Sequence, residues 1–186
     1  MSNKKGRLIV LSAPSGTGKD TVIGALLKAR PELALSVSAT TRPPRNGETE
    51  GVSYFFVTRK TFHEMIENKE FLEYAEYIGE YYGTPIKPIQ KHIGDGKDVI
   101  LEIEVQGARQ VMQIQPEALT IFIVPPAMDE LERRLRGRGT DNEEMLIARL
   151  ERARLELEEK RNYAHIVVND DVTRATEEIL SIIDKN

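Results

Sequence analysis

The sequence predicts an α/β fold, a parallel sheet flanked by helices, and three observations carry that prediction. Short β-branched runs alternate with longer amphipathic stretches over most of the chain. The short runs are almost continuously apolar, as strands covered by helices on both faces must be. The chain has 186 residues, 40% of them hydrophobic and 30% charged, enough for one core of ordinary size and too little for two full domains.

Taken in order, Arg7 to Ser12 (RLIVLS) reads as the first strand and Asp20 to Arg30 as the first helix. The pairing then repeats: Asp98 to Ile103 before Val105 to Ile114, Thr120 to Val124 before Met128 to Arg136, and His165 to Val168 before Thr173 to Asp184. Between the first helix and Asp98 the texture changes. Leu35 to Ala39, Ser53 to Val57 and Phe71 to Ile78 are apolar or aromatic runs interrupted by Arg, Gly and Pro, which predicts an inserted, mostly antiparallel lobe. Most of the aromatic residues lie there, Tyr54, Tyr74, Tyr77, Tyr81 and Tyr82 among them, and core packing accounts for several. A second insertion, Arg136 to Glu144, is charged and punctuated by glycine; it reads as an exposed loop or a mobile flap. A long charged helix is expected from about Glu143 to Asn162, with acid and base pairs at helical spacing of the kind solvated faces carry.

Composition excludes several functions. Lys and Arg number 26 against 30 Asp and Glu, a net charge of −4, so bulk positive charge for nucleic acid is missing and any anion site must be local. There is no Cys, hence no disulfide, thiolate metal site or Cys nucleophile. The apolar run Leu8 to Leu11 is too short for a signal-peptide core or a membrane span. A soluble cytoplasmic protein without membrane or nucleic-acid partners is expected.

The most informative motif follows the first strand: Ala13, Pro14, Ser15, Gly16, Thr17, Gly18, Lys19, Asp20 and Thr21. Glycines let backbone N–H groups curl around phosphate oxygens, the next helix aims its positive end at the same anion, and Lys19 reaches the outer phosphates. An accidental Gly-rich turn is the competing reading, disfavoured by the flanking strand and helix. Two positions depart from G-x-x-x-x-G-K-[ST]: Ala13 for the first Gly, and Asp20 where a hydroxyl would touch Mg²⁺. A carboxylate about 4 Å from a phosphate oxygen is opposed by roughly 4 kcal/mol at an effective dielectric of 20. Mg²⁺ between them cancels that opposition, so Asp20 is read as metal-associated, with the Thr21 hydroxyl as a second route. Further on, Arg42 and Arg45 bracket two prolines in a stiff hairpin, a pair of guanidinium forks suited to a monophosphate. Alone, that segment would read as a solvated loop.

With Tyr54 in GVSYFF, Glu73 in FLEYAEY, and Tyr82 and Thr84 in YYGT, the sequence resembles the guanylate kinase family from about Gly6 to Ile183. The resemblance implies a P-loop NTPase fold with a core (about 6–37, 84–136 and 145–186), a GMP-binding lobe (about 38–83) and a lid (about 137–144). It implies γ-phosphoryl transfer from MgATP to GMP, and to dGMP, giving GDP and ADP. Arg42, Arg45, Tyr54 and Tyr82 would hold the acceptor phosphate, and Ser38, Glu73, Thr84 and Glu104 its base. The chemistry of Glu73 agrees: guanine offers N1–H and an amine side by side to one carboxylate, whereas adenine N1 would face it with a lone pair. Glu102, at the end of the same strand as Glu104, resembles the acidic group that holds Mg²⁺ directly or through water, although the family commonly has Asp at both positions; a helix-capping carboxylate is the alternative. Arg134, Arg138 and Arg149 match arginines that the family folds over the transferring phosphate, and Asn169 matches the site of ATP adenine recognition, or else forms a turn. Arg133, Arg136 and Arg152 are expected to be solvated, and His63, His92 and His165 to have no catalytic role. A homodimer is compatible with the sequence. Two alternatives are a sugar-phosphate kinase acting on ribose bisphosphate, suggested by Lys followed by Asp in the loop, and a non-catalytic phosphopeptide-binding module of the same fold.

Overall fold

The structure is a computed structural model that describes residues 5–77, 79–137 and 142–186. Ile78 and Arg138, and with Arg138 the middle of the expected lid, lie outside the described residues. Five strands form a parallel sheet in the order β2-β7-β1-β8-β9: β1 Leu8–Ser12, β2 Ala34–Leu35, β7 Val99–Glu102, β8 Leu119–Val124 and β9 His165–Val168. Alternation within β1 divides the core in two. Ile9 and Leu11 face a layer containing Val22, Leu26, Ile121, Val167 and Ile179. Leu8 and Val10 face the other, with Leu101, Val105, Val111 and Phe122. Helices α1 Lys19–Ala29 and α7 Val172–Lys185 thus cover one face, and α3 Ile86–Gly94 and α4 Val105–Ile114 the other.

The lobe has its own four-stranded sheet, β4-β3-β6-β5, built from β3 Ala39–Thr40, β4 Phe55–Phe56, β5 Phe71–Tyr77 and β6 Glu80–Pro85. Two pairings are antiparallel, and β3 runs parallel to β4. Its core is aromatic: Phe62 of α2 Arg59–Glu67 stacks on Phe71 at 4.4 Å and 29°. The run Leu35 to Ala39, read as one strand of the lobe, is divided, since Ala34–Leu35 pairs with β7 of the main sheet while Ala39–Thr40 pairs within the lobe.

Helices α5 Met128–Arg136 and α6 Glu143–Glu158 share a small cluster of Leu131, Leu135, Leu146 and Leu150. The expected helix to Asn162 tightens into a 3₁₀ turn over Glu159–Asn162. Asn142 starts α6, its side chain accepting from the Met145 N–H at 2.9 Å. No described helix is long and apolar enough to cross a membrane.

Candidate active site

The loop between β1 and α1 has the backbone that its glycines predict. Gly16 and Gly18 both have φ of +88°, a conformation side-chain-bearing residues rarely adopt. Gly18 precedes Lys19 at the N-cap of α1. The buried Thr17 hydroxyl donates to the Pro14 carbonyl at 2.6 Å and closes the turn. From outside, Asn169 Nδ2 donates to the Thr17 carbonyl at 2.7 Å, and Arg134 Nη1 donates to that same oxygen at 3.1 Å. Arg134 Nη2 reaches the Asn169 carbonyl at 3.0 Å, while Nε is held by Glu130 at 2.7 Å. Arg134 and Asn169 therefore brace the loop. Asn169 is 3% exposed and its Oδ1 has no protein partner. Arg149 Nη2 donates to the Ser15 hydroxyl at 2.9 Å, which brings α6 to the same loop.

Lys19 is ion-paired with Glu102 and lies 3.6 Å from Asp20 Oδ1. Asp20 is 89% exposed at its side chain, so its interactions are close to those in bulk water. There its repulsion toward a phosphate 4 Å away falls to about 1 kcal/mol, a quarter of the sequence-based figure. Two carboxylates on one ammonium form a hard oxygen donor set that suits Mg²⁺, which takes one or two carboxylates and fills its remaining positions with phosphate and water. Among the described residues no group of three or more His, Asp or Glu forms a closed metal cage. The residues present fit a substrate-borne metal.

In the lobe, Glu73 of β5 pairs with Thr84 of β6 across the sheet and is only 6% exposed. The Thr84 hydroxyl donates to Glu73 Oε1 at 2.5 Å, and Ser38 Oγ lies 3.5 Å from Thr84 Oγ1. Burial pushes the Glu73 carboxyl above its ordinary range, opposed in part by the Thr84 hydrogen bonds. Behind it is Gly107 of α4, where an added Cβ would stand 2.9 Å from Glu73 Cδ. Gly107 was not anticipated; its signal was a glycine in the first turn of a predicted helix, where other residues form helix more readily.

Arg42 lies 4.9 Å over the Tyr54 ring, and Tyr54 meets Tyr82 edge-to-face at 6.0 Å. Arg42, Tyr54 and Tyr82 are thus together. Arg45 is exposed, and its backbone N–H donates to Glu48 Oε2 at 2.7 Å. The sequence reading missed Glu48, which grips Arg42 bidentately at 2.7 and 2.6 Å. Hydrogen bonds from Arg42 and then from the Arg45 backbone pull the Glu48 carboxyl down to about 2. A carboxylate six residues after Arg42 in a closed turn was the available signal.

The segment from the end of β7 into α4 joins the two sites, since Glu102 contacts Lys19 of the loop and Gly107 packs on Glu73 of the lobe. Glu104 between them is the N-cap residue of α4 and more than half exposed at its side chain.

A glycine cradle at a strand-to-helix junction, with a parallel sheet beneath it and an inserted lobe carrying an arginine–tyrosine cluster, defines a P-loop NTPase fold of the small-kinase kind. The guanylate kinase family profile matches residues 5–186. Guanylate kinase of Trichodesmium erythraeum is 53% identical over 97% of this chain and 95% of its own length. That of Halalkalibacterium halodurans is 50% identical over 98% and 90%. The crystal structure of guanylate kinase from Anaplasma phagocytophilum superposes with a TM-score of 0.80 at 35% identity, covering 98% of this chain and 86% of that one. The chain belongs to the guanylate kinase family.

Proposed function

We propose that this chain is an ATP:GMP phosphotransferase whose donor site is the Ala13–Thr21 loop and whose acceptor site is the lobe around Glu73 and Arg42. It carries the γ-phosphoryl group of ATP to GMP or dGMP and yields ADP and GDP. The observation that supports this most directly is the segment from Glu102 to Gly107, which touches the phosphate-loop lysine at one end and the buried lobe carboxylate at the other.

The residues divide the work by chemistry. Backbone N–H groups around Gly16 and Gly18 and the start of α1 bind the donor phosphates, and Lys19 exchanges Glu102 for a phosphate oxygen. Glu73, ionised and assisted by Thr84 and Ser38, accepts from N1–H and the exocyclic amine of guanine, with Glu104 at the edge of the base. Arg42, Arg45, Tyr54 and Tyr82 take the acceptor phosphate, and this requires Arg42 to give up at least one arm of its fork to Glu48. Arg149 from α6, joined by Arg138, supplies positive charge where the transferring group becomes more anionic. Arg134 and Asn169 hold the donor loop in shape, and the unsatisfied Asn169 Oδ1 suits a donor such as the adenine amine. Mg²⁺ would be held by Glu102, directly or through water, and by Asp20, and would supply neutralisation of phosphate charge. No general base is needed, because the acceptor oxygen is already anionic at neutral pH. Closure of lobe and lid excludes water from the transfer. The setting proposed is the cytoplasm.

A coupled assay with GMP, AMP and ribose bisphosphate as acceptors tests the reading. Turnover with GMP at least a hundredfold above the other two is expected; transfer to ribose bisphosphate without transfer to GMP would overturn it.

A further inference from the structure

Arg152 is exposed, as its charged helix predicts, with 45% of its side chain accessible, but the covered part makes specific contacts. Its Nε donates to Glu156 Oε1 at 2.7 Å, one turn along α6. Its Nη2 stands 3.7 Å from Glu104 Oε2 at the head of α4. Its guanidinium carbon lies 4.8 Å over the ring of Tyr77, at the end of β5 in the lobe. Tyr77 in turn meets Tyr82 edge-to-face at 6.4 Å and 71°. One side chain therefore touches the helix that bears it, the head of α4 and the lobe.

Glu156 fixes the arginine in that place. It is 8% exposed, its Oε2 has no hydrogen-bond partner, and Arg152 is the cation that neutralises its other oxygen. Among the described residues Arg152 is the cation paired with this buried carboxylate, and losing it leaves an uncompensated charge. Three residues earlier on the same helix, Arg149 donates to Ser15 of the donor loop. Positions i and i+3 share a helix face, about 4.5 Å apart along the axis. One face of α6 thus carries two arginines, one on the donor loop and one on the acceptor side.

We propose that Arg152 is a positioning residue for the acceptor site, setting Glu104 and, through Tyr77, Tyr82 against the helix that presents Arg149 to the donor loop. This rests on the reading of the lobe as the GMP site. A planar guanidinium suits the task, because it stacks on a ring while its edges serve two carboxylates. A partly exposed ion pair and one cation–π contact together correspond to a change of about three- to tenfold in binding.

Steady-state kinetics of the full chain test it, with Arg152→Gln, Arg152→Lys, Tyr77→Leu and the double variant Arg152→Gln/Tyr77→Leu, each confirmed folded at the assay temperature by circular dichroism, since loss of the Glu156 partner is expected to lower the melting temperature of the Gln variants. The expected result is a three- to tenfold rise in the KM for GMP in Arg152→Gln, with kcat and the KM for ATP within twofold of the parent. Arg152→Lys should recover part of the loss and not all of it, because it keeps the charge toward Glu104 but loses the planar fork over Tyr77. The double variant should lose less than the product of the two single losses, because both act through one contact. A KM for GMP unmoved by Arg152→Gln, equal rises in both KM values, or strictly multiplicative losses would overturn the proposal. Glu73→Gln, run in parallel, separates the two readings: if it raises the KM for GMP and Arg152→Gln does not, only the role of Arg152 falls. If neither does, the acceptor site itself is misplaced.

Discussion

Replacing Glu73 by Gln removes one charge from the lobe and almost nothing else. The Thr84 hydroxyl that donates to Oε1 at 2.5 Å finds an equivalent acceptor in the Gln carbonyl, so the β5–β6 pairing survives. The amide nitrogen then occupies the other branch, a donor where guanine also presents a donor. One charge-assisted hydrogen bond is lost, about 1.5–3 kcal/mol, and a buried donor is left unmatched, about 1–3 kcal/mol more. The sum, roughly 2.5–6 kcal/mol, predicts a fall in kcat/KM for GMP of about two to four powers of ten. Protein stability should move the other way. Burial holds the Glu73 carboxyl above its ordinary value of 4.5, so the folded chain keeps that proton more tightly than the unfolded chain does. Ionising it therefore costs stability as pH rises from the ordinary carboxylate value through the raised one, and the cost remains in full at neutral pH. Glu73→Gln should melt at or above the parent temperature at pH 7.5. The parent's KM for GMP should climb on acidification as Glu73 takes up its proton, and the variant's should show no such climb. Coupled kinetics across pH with calorimetric melting provide both readouts. A variant that loses GMP and ATP binding equally, or that melts well below the parent, would refute the assignment of Glu73 to the base and make it a structural carboxylate.

Further variants probe neighbouring points. Gly18→Ala forces a side chain into φ +88° and sets its Cβ 2.8 Å from Asn169 Nδ2, so the KM for ATP should rise at least tenfold with the KM for GMP little changed; titration calorimetry with each nucleotide checks this. Gly107→Ala drives a methyl against Glu73 and should raise the KM for GMP tenfold or more in the same coupled assay, with ATP binding intact. Asp20→Ser should keep activity and shift the Mg²⁺ concentration giving half-maximal rate; an unchanged Mg²⁺ titration would show that Asp20 lies outside the metal shell. Lys19→Met removes the ammonium shared by Glu102 and Asp20 and should lower kcat by at least a hundredfold in single-turnover assays while GMP binding persists.

The sequence made the main sheet legible because its strands are buried on both faces and so are almost unbroken apolar runs; Ile121, Phe122 and Ile123 are each fully buried. The donor loop was legible for a related reason, since only glycine serves at φ +88°. Helix α3 escaped because Pro88 sits in its first turn, where proline is tolerated but reads as a breaker. Helix α2 escaped because Phe62 is its only fully buried residue, too little for a helical period. The strands β2 and β3 are two residues each, and no local pattern tells which sheet such a fragment joins. In the site, residue types announced Glu73 and Arg42 once their motifs were seen together. Glu48 and Arg152 did not announce themselves, because their roles come from a closed turn and from contacts with Tyr77 and Glu104, distant in the chain.

A crystal structure of the chain with GMP and a non-hydrolysable ATP analogue tests the acceptor and donor sites together. Guanine N1 and its exocyclic amine are expected on the Glu73 carboxylate, the GMP phosphate on Arg42 with Tyr54 and Tyr82, and the triphosphate wrapped by the Gly16–Lys19 backbone. A guanine base lodged away from Glu73, or a GMP phosphate that leaves the Arg42–Glu48 fork undisturbed and binds elsewhere, would contradict that placement.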